Sequence, residues 1–175
     1  MAMSRRYTAL DLACLGVVAA VAGVIFALTW NVYYFGKAIG GPIVARIVSY
    51  GLWFIGAPLA ASLIRKPLSA FLGETLGALV ETIIPTYGGF TNIIYGVAQG
   101  AASEIAYALF RYRKFGVAQA ALAGALAGFP CVALDAILFG DIYPPNVMAV
   151  ITIAAVISGA IYGVIAATVV KAIRR

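Results

Sequence analysis

The chain has 175 residues, of which 64% are hydrophobic and only 10% charged, against roughly 45–50% apolar and about 25% charged in soluble domains. That composition excludes a water-soluble globular domain. The net charge of +6 does not point to nucleic acid either, because such binding needs basic residues clustered on a solvated face, and here they sit between apolar runs.

At about 20 apolar residues per spanning helix, six spans take about 120 residues and leave about 55 for loops and tails. Residues 12–28 carry no polar side chain. This run exceeds the roughly 7–15-residue core of a signal peptide, and no convincing small-residue cleavage site precedes polar sequence, so it reads as a retained first helix. Uncharged runs recur at 47–64, 82–103, 115–134 and 142–170, with a further apolar segment, 68–85, interrupted by Glu74 and Glu81. The expected helices are 10–30, 43–64, 68–84, 90–110, 115–139 and 147–170. A membrane barrel needs alternating segments of about ten residues, whereas these runs are continuously apolar and rich in Ala and Gly. The expected fold is an all-α integral membrane protein, a bundle of six transmembrane helices forming one substrate-binding domain over residues 1–175, with no internal repeat.

Alternation of six helices puts Arg5, Arg6, Arg65, Lys66, Arg111, Arg113, Lys114, Lys171, Arg174 and Arg175 on one side. Positive charge is retained in the cytoplasm during insertion, so both termini are expected there, in a multi-pass protein of a prokaryotic cell membrane. The opposite side carries the connections 31–42, 85–90 and 140–146, rich in Gly, Pro, Tyr and Asn. Such residues build turns that can close over a pocket, which predicts a binding mouth facing outward.

An ionised side chain within the bilayer costs at least about 2.5–3.5 kcal/mol on the lenient insertion scale, so four acids ask for a reason: Glu74, Glu81, Glu104 and Asp135. Glu74 and Glu81, seven residues apart, are separated by roughly 700° of helix and share a face of the third helix. Asn92, Tyr95 and Gln99 share a face of the fourth, descending from the mouth. Asp135 lies near the outer end of the fifth helix and is the pocket candidate over Glu104, which points away from Gln99. A structural alternative pairs these acids with Arg46, a hydroxyl or a backbone group. Arg46 is the only basic residue near these depths, so the interior is biased negative and favours a cationic solute.

Aromatic residues gather toward the outer side at Trp30, Tyr33, Tyr34, Tyr50, Trp53 and Tyr87, as an interfacial belt would. Trp53 falls deeper, where an aromatic face beside carboxylates could hold a flat cationic ring by stacking and cation–π attraction. The candidate substrate-binding set is Glu81, Trp53, Tyr87, Asn92, Tyr95, Gln99, Glu74, Trp30, Tyr34 and Asp135. Small residues recur along the first helix, and Ala13, Gly16, Ala20 and Gly23 form a ridge suited to close packing, within the bundle or against a partner subunit.

Several chemistries lose their usual groups. There is no histidine, and Cys14 and Cys131 both sit in apolar stretches, so no metal site, disulfide or cofactor is expected. No P-loop sequence occurs, so uphill transport driven by ATP would need another subunit. Without a histidine base, an H-E-x-x-H or a G-x-S-x-G, the chain is not expected to be an enzyme.

The stretch 65–115, RKPLSAFLGETLGALVETIIPTYGGFTNIIYGVAQGAASEIAYALFRYRKF, resembles the YkoE-type family of thiamine or hydroxymethylpyrimidine S components of energy-coupling factor (ECF) transporters. The resemblance implies a six-helix protein with an outward-facing vitamin site, which captures thiamine or its pyrimidine precursor and works with a membrane T component and ABC-type ATPases. In that light Glu81 would meet the amino group or the cation, Trp53, Tyr87 or Tyr95 would stack on a ring, and Asn92 and Gln99 would face a pyrimidine edge. Glu74 would bound the pocket floor. Alternatives are an S component for another vitamin or small cation, a proton-coupled secondary carrier, and a membrane scaffold.

Overall fold

Thr8 starts the first helix with a reciprocal cap: its Oγ1 accepts from the Asp11 N–H at 3.3 Å, and Asp11 Oδ2 accepts from the Thr8 N–H at 2.7 Å, which satisfies two backbone donors that the first turn leaves without partners. The computed structural model describes residues 6–174; Arg5 and Arg175, assigned above to the cytoplasmic side, lie outside them. Among the described residues every regular element is helical.

Helix α1 (Ala9–Ser49) contains one non-helical residue, Gly41, at φ 75° and ψ −172°. The chain reverses there. A Cβ on Gly36 would stand 2.9 Å from the Ala45 Cα and 2.8 Å from Val48 Cγ2, so the segment after Pro42 lies against the one before it. This corrects the expected outer connection at 31–42: the chain stays helical to Gly40, and the turn is compressed into Gly41 and Pro42. No proline interrupts 31–40, whereas Gly41 supplies the positive φ and Pro42 a pre-set helical φ. At 1.5 Å per residue, 9–40 spans about 48 Å, longer than a hydrocarbon core of about 30 Å.

The expected helix at 43–64 is also corrected, because it is broken. A 3₁₀ segment, Tyr50–Phe54, precedes α2 (Gly56–Ile64). Pro58 has no N–H and its ring clashes with the carbonyl four residues earlier, that of Phe54. Around the break the free groups find other partners: the Gly51 N–H donates to Ser158 Oγ at 3.0 Å and Trp53 Nε1 donates to the Phe26 carbonyl at 3.1 Å.

Helices α3 (Ser69–Ile83), α4 (Thr91–Ala108), α5 (Val117–Phe139) and α6 (Pro145–Ile173) fall within three residues of the sequence expectation. Among the described residues three helical stretches are long and apolar enough to cross a membrane: Ala9–Ile64, Val117–Phe139 and Pro145–Ile173. Helices α5 and α6 cross in backbone contact, since a Cβ on Gly159 would stand 2.1 Å from the Gly124 oxygen. Gly23 faces inward onto α3, where a Cβ would meet Val80 at 2.6 Å and the Gly77 oxygen at 2.8 Å. It therefore leaves the expected partner ridge, while Ala13, Gly16 and Ala20 lie on the open side of α1.

One end of the molecule is laced together. Lys66 Nζ pairs with Asp11 and donates to the Arg6 carbonyl at 2.8 Å, and Tyr7 Oη donates to the Pro67 carbonyl at 2.9 Å. Glu104 accepts from the Leu68 N–H at 2.7 Å and the Phe71 N–H at 3.0 Å. It thus caps α3 from the side, a structural use of an intramembrane acid that matches the backbone-pairing alternative.

Candidate functional site

Helix α3 carries Glu74 and Glu81 to the wall of a cavity whose empty space, the part open to solvent included, is about 440 Å³. Glu81 Oε1 accepts from Trp30 Nε1 at 2.8 Å, which orients both the carboxylate and the indole. Glu74 is fully buried; its Oε2 accepts from the Ala57 N–H at 2.7 Å, at the first turn of α2, and its Oε1 has no hydrogen-bond partner among the described residues. A buried polar atom left without a partner is costly. The break before α2 exposes the N–H groups that Glu74 satisfies, so the kinked second segment and the cavity floor are one construction.

One end of the cavity is aromatic. The Trp30 ring lies 5.1 Å from Trp53, 5.5 Å from Tyr33 and 5.6 Å from Tyr87, each edge-on. Phe139 closes the opposite side, its ring 5.9 Å from Tyr87 and 6.2 Å from Tyr95. The edge-to-face contacts around Trp30 and the stacked Tyr87–Phe139 pair hold these rings in place.

One wall is ionic. Asp135 Oδ1 accepts from Tyr95 Oη at 2.7 Å and lies 3.0 Å from Arg46 Nη1, while Oδ2 accepts from Tyr50 Oη at 2.9 Å. Arg46 also meets Asp141, with Nη2 at 2.6 Å and Nε at 2.8 Å. Its guanidinium lies 5.2 Å from the Tyr33 ring centroid and 5.6 Å from that of Phe139. The one base on the cavity wall is thus matched by two acids, which leaves Glu74 and Glu81 without a basic partner there.

Eight of the ten sequence-selected residues line this cavity: Trp30, Trp53, Glu74, Glu81, Asn92, Tyr95, Gln99 and Asp135. Asn92 Nδ2 donates to Thr86 Oγ1 at 3.1 Å, and Gln99 lies beside Cys131. Tyr87 and Tyr34 do not line it; both are exposed, though each ring lies against Trp30. Arg46, Phe26, Phe139, Cys131, Ala78 and Gly96 also line the cavity and were not in that set. Arg46 carries a signal, as the lone base at that depth, but Phe26 and Phe139 look like any other apolar residue of a span.

Residues 10–130 match the family described as ABC-type cobalt transport system, permease component. A protein of Bacillus subtilis (strain 168), YkoE, whose name proposes it as an HMP/thiamine permease, is 29% identical over 150 residues, covering 83% of this chain and 75% of its own. A crystal structure of an S-component of an ECF transporter superposes with a TM-score of 0.90 at 26% identity, covering 96% of this chain and 86% of that one. The chain belongs to this permease-component family. It is a membrane-embedded S component of an ECF transporter and not an enzyme.

Proposed function

We propose that this S component captures thiamine or its hydroxymethylpyrimidine precursor from the outer side of a prokaryotic cell membrane. The observation that carries the reading is the pair of carboxylates without a basic partner on the cavity wall, Glu81 held by the Trp30 indole and Glu74 with one free oxygen, beneath aromatic rings. Thiamine joins a cationic thiazolium to an aminopyrimidine, and a space walled by carboxyl groups and aromatic rings suits both halves. Glu81 balances the cation or accepts from the amino group, Trp53, Tyr87 or Tyr95 stacks, Asn92 and Gln99 address the pyrimidine edge, and Glu74 bounds the floor. The name of the Bacillus subtilis relative supports the same cargo. The family description names cobalt, but cobalt favours imidazole ligands and the chain has no histidine.

In this reading residues 1–175 form one unit of six spans, the hairpin at Gly41 separating the first two. The end laced by Lys66, Asp11 and Pro67 lies in the cytoplasm with both termini, as its basic residues favour. S components of ECF transporters work with a T component and ATPases, and the open ridge Ala13, Gly16 and Ala20 on α1 suits close approach by such a subunit.

The test is the thermal stability of the purified protein with thiamine, its pyrimidine precursor, riboflavin or biotin. Ligand at about 100 times Kd adds about 2.7 kcal/mol. A selective upward shift with thiamine or the pyrimidine is expected; a shift with riboflavin or biotin alone would overturn the assignment.

A further inference from the structure

Two apolar helices end directly on an arginine: Ile64 closes α2 and Arg65 follows it, and Ile173 closes α6 and Arg174 follows it. The two bases lie far apart in sequence, yet both reach one atom. Arg65 Nε donates to the Ser62 carbonyl at 3.3 Å, and Arg174 Nη1 donates to the same oxygen at 3.5 Å. Each arginine stands one residue beyond a stretch long and apolar enough to cross a membrane. The end of such a stretch is where hydrocarbon gives way to headgroups, so the pair sits at headgroup depth.

No acid answers these charges. Among the described residues neither arginine pairs with a carboxylate. At the same end of the molecule Asp11 is taken by Lys66, and Glu104 by the Leu68 and Phe71 N–H groups. Burial and the neighbouring Arg174 guanidinium hold Arg65 below its ordinary pKa, as a like charge does when no anion lies between. Lys171, one turn before Arg174, adds a third exposed base. The Ser62 hydroxyl is buried without a partner among the described residues, so protein groups alone do not complete the polar chemistry here. A helix C-terminus and the retention of basic residues in the cytoplasm both favour cations at such ends, but neither brings two guanidiniums to one carbonyl, which carries no net charge to balance them. Toward the membrane, Ile165, Val169 and Ile173 recur every fourth residue along α6, and all three are exposed.

We propose that Arg65 and Arg174 hold the phosphate of an anionic phospholipid, whose acyl chains lie along the exposed ridge of α6. Guanidinium forks suit phosphate oxygens in geometry and charge, and basic pockets between spanning helices take such headgroups. A zwitterionic headgroup brings its own cation to a place already crowded with them, which selects against it. The bound phosphate ties the end of α2 to the end of α6 and so stabilises the fold. The inference uses the membrane placement of the chain and is independent of the cargo.

The full chain is purified in a non-ionic detergent, and its unfolding temperature is measured with added phosphatidylglycerol or phosphatidylcholine of matched acyl chains. Phosphatidylglycerol is expected to raise it by about 3 °C or more above the choline lipid. Arg65→Gln/Arg174→Gln is expected to abolish that difference, whereas Arg113→Gln/Lys114→Gln, which removes equal charge from the α4–α5 connection, is expected to keep most of it. Where the first variant does not unfold cooperatively, Arg174→Gln alone, at an exposed position, is expected to halve the difference at least. Equal shifts with both lipids, a difference that survives loss of the arginines, or one that Arg113→Gln/Lys114→Gln also removes, overturns the site. Millimolar inorganic phosphate that gives the same arginine-dependent shift makes the ligand a free phosphate and overturns the lipid. Absence of any lipid shift, together with loss of assembly with T and ATPase subunits in Arg65→Gln/Arg174→Gln, makes the pair a protein contact and overturns the lipid as well.

Discussion

Glu81 and Glu74 were legible because carboxylates within an apolar run are expensive, and a separation of seven residues settles their common face. The partners were not legible. Arg46 and Asp141 lie 95 residues apart in sequence, and neither periodicity nor composition says that one base will bind two acids. The consequence for binding is a division of labour among acids: Glu104 caps a helix, Asp135 holds a wall, and Glu81 and Glu74 face the space. Replacing Glu81 by Ala is expected to weaken thiamine binding at least tenfold, about the 1.5–3 kcal/mol of a hydrogen bond to a charged group, as measured by equilibrium titration. Unchanged affinity would remove Glu81 from the site. Trp53→Ala removes a ring face worth about 0.5–2 kcal/mol to a cation, so a loss of between twofold and thirtyfold is expected in the same titration.

The lengths of α3 to α6 could be read from apolar runs bounded by charge, Pro and Gly. The first two segments were misplaced because a turn of one glycine and one proline leaves almost no polar sequence to mark it, and because the break ahead of α2 depends on Pro58 and on an acceptor supplied from α6, Ser158 Oγ. Gly41 occupies a backbone region that is essentially closed to other residues. Gly41→Val is therefore expected to destabilise the protein by about 1–3 kcal/mol, seen as a lower unfolding temperature with retained helical circular dichroism. At the α5–α6 crossing the obstacle is backbone on both sides, which cannot swing away. Gly159→Ala should lower stability by about 1–3 kcal/mol through overpacking, whereas Gly16→Ala, where a Cβ meets nothing within 4 Å, should raise it by about 0.5–1 kcal/mol in the isolated protein.

The whole molecule reads as a receptor with two unlike ends and a cavity between them lined by acidic and aromatic side chains. Composition alone placed it in a membrane, and the resemblance carried by 65–115 named the transporter class that the structural likeness supports. Sequence could not place the ionic wall, since it is made by residues from α1, the 3₁₀ segment, α4 and α5 meeting in space. A receptor without a P-loop takes its energy from partner ATPases, so uptake of labelled thiamine into vesicles is expected only when T and ATPase subunits are present; uptake by this chain alone would favour a secondary carrier. A ring of thiamine or of its pyrimidine precursor is expected to lie against the cavity's indoles. The chain has two tryptophans, Trp30 and Trp53, and both line the cavity, so intrinsic tryptophan fluorescence reports on it directly. Titration with thiamine is expected to give saturable quenching that Glu81→Ala shifts to at least tenfold higher concentration. A spectrum that thiamine and its pyrimidine precursor leave unchanged up to millimolar concentration would contradict the account.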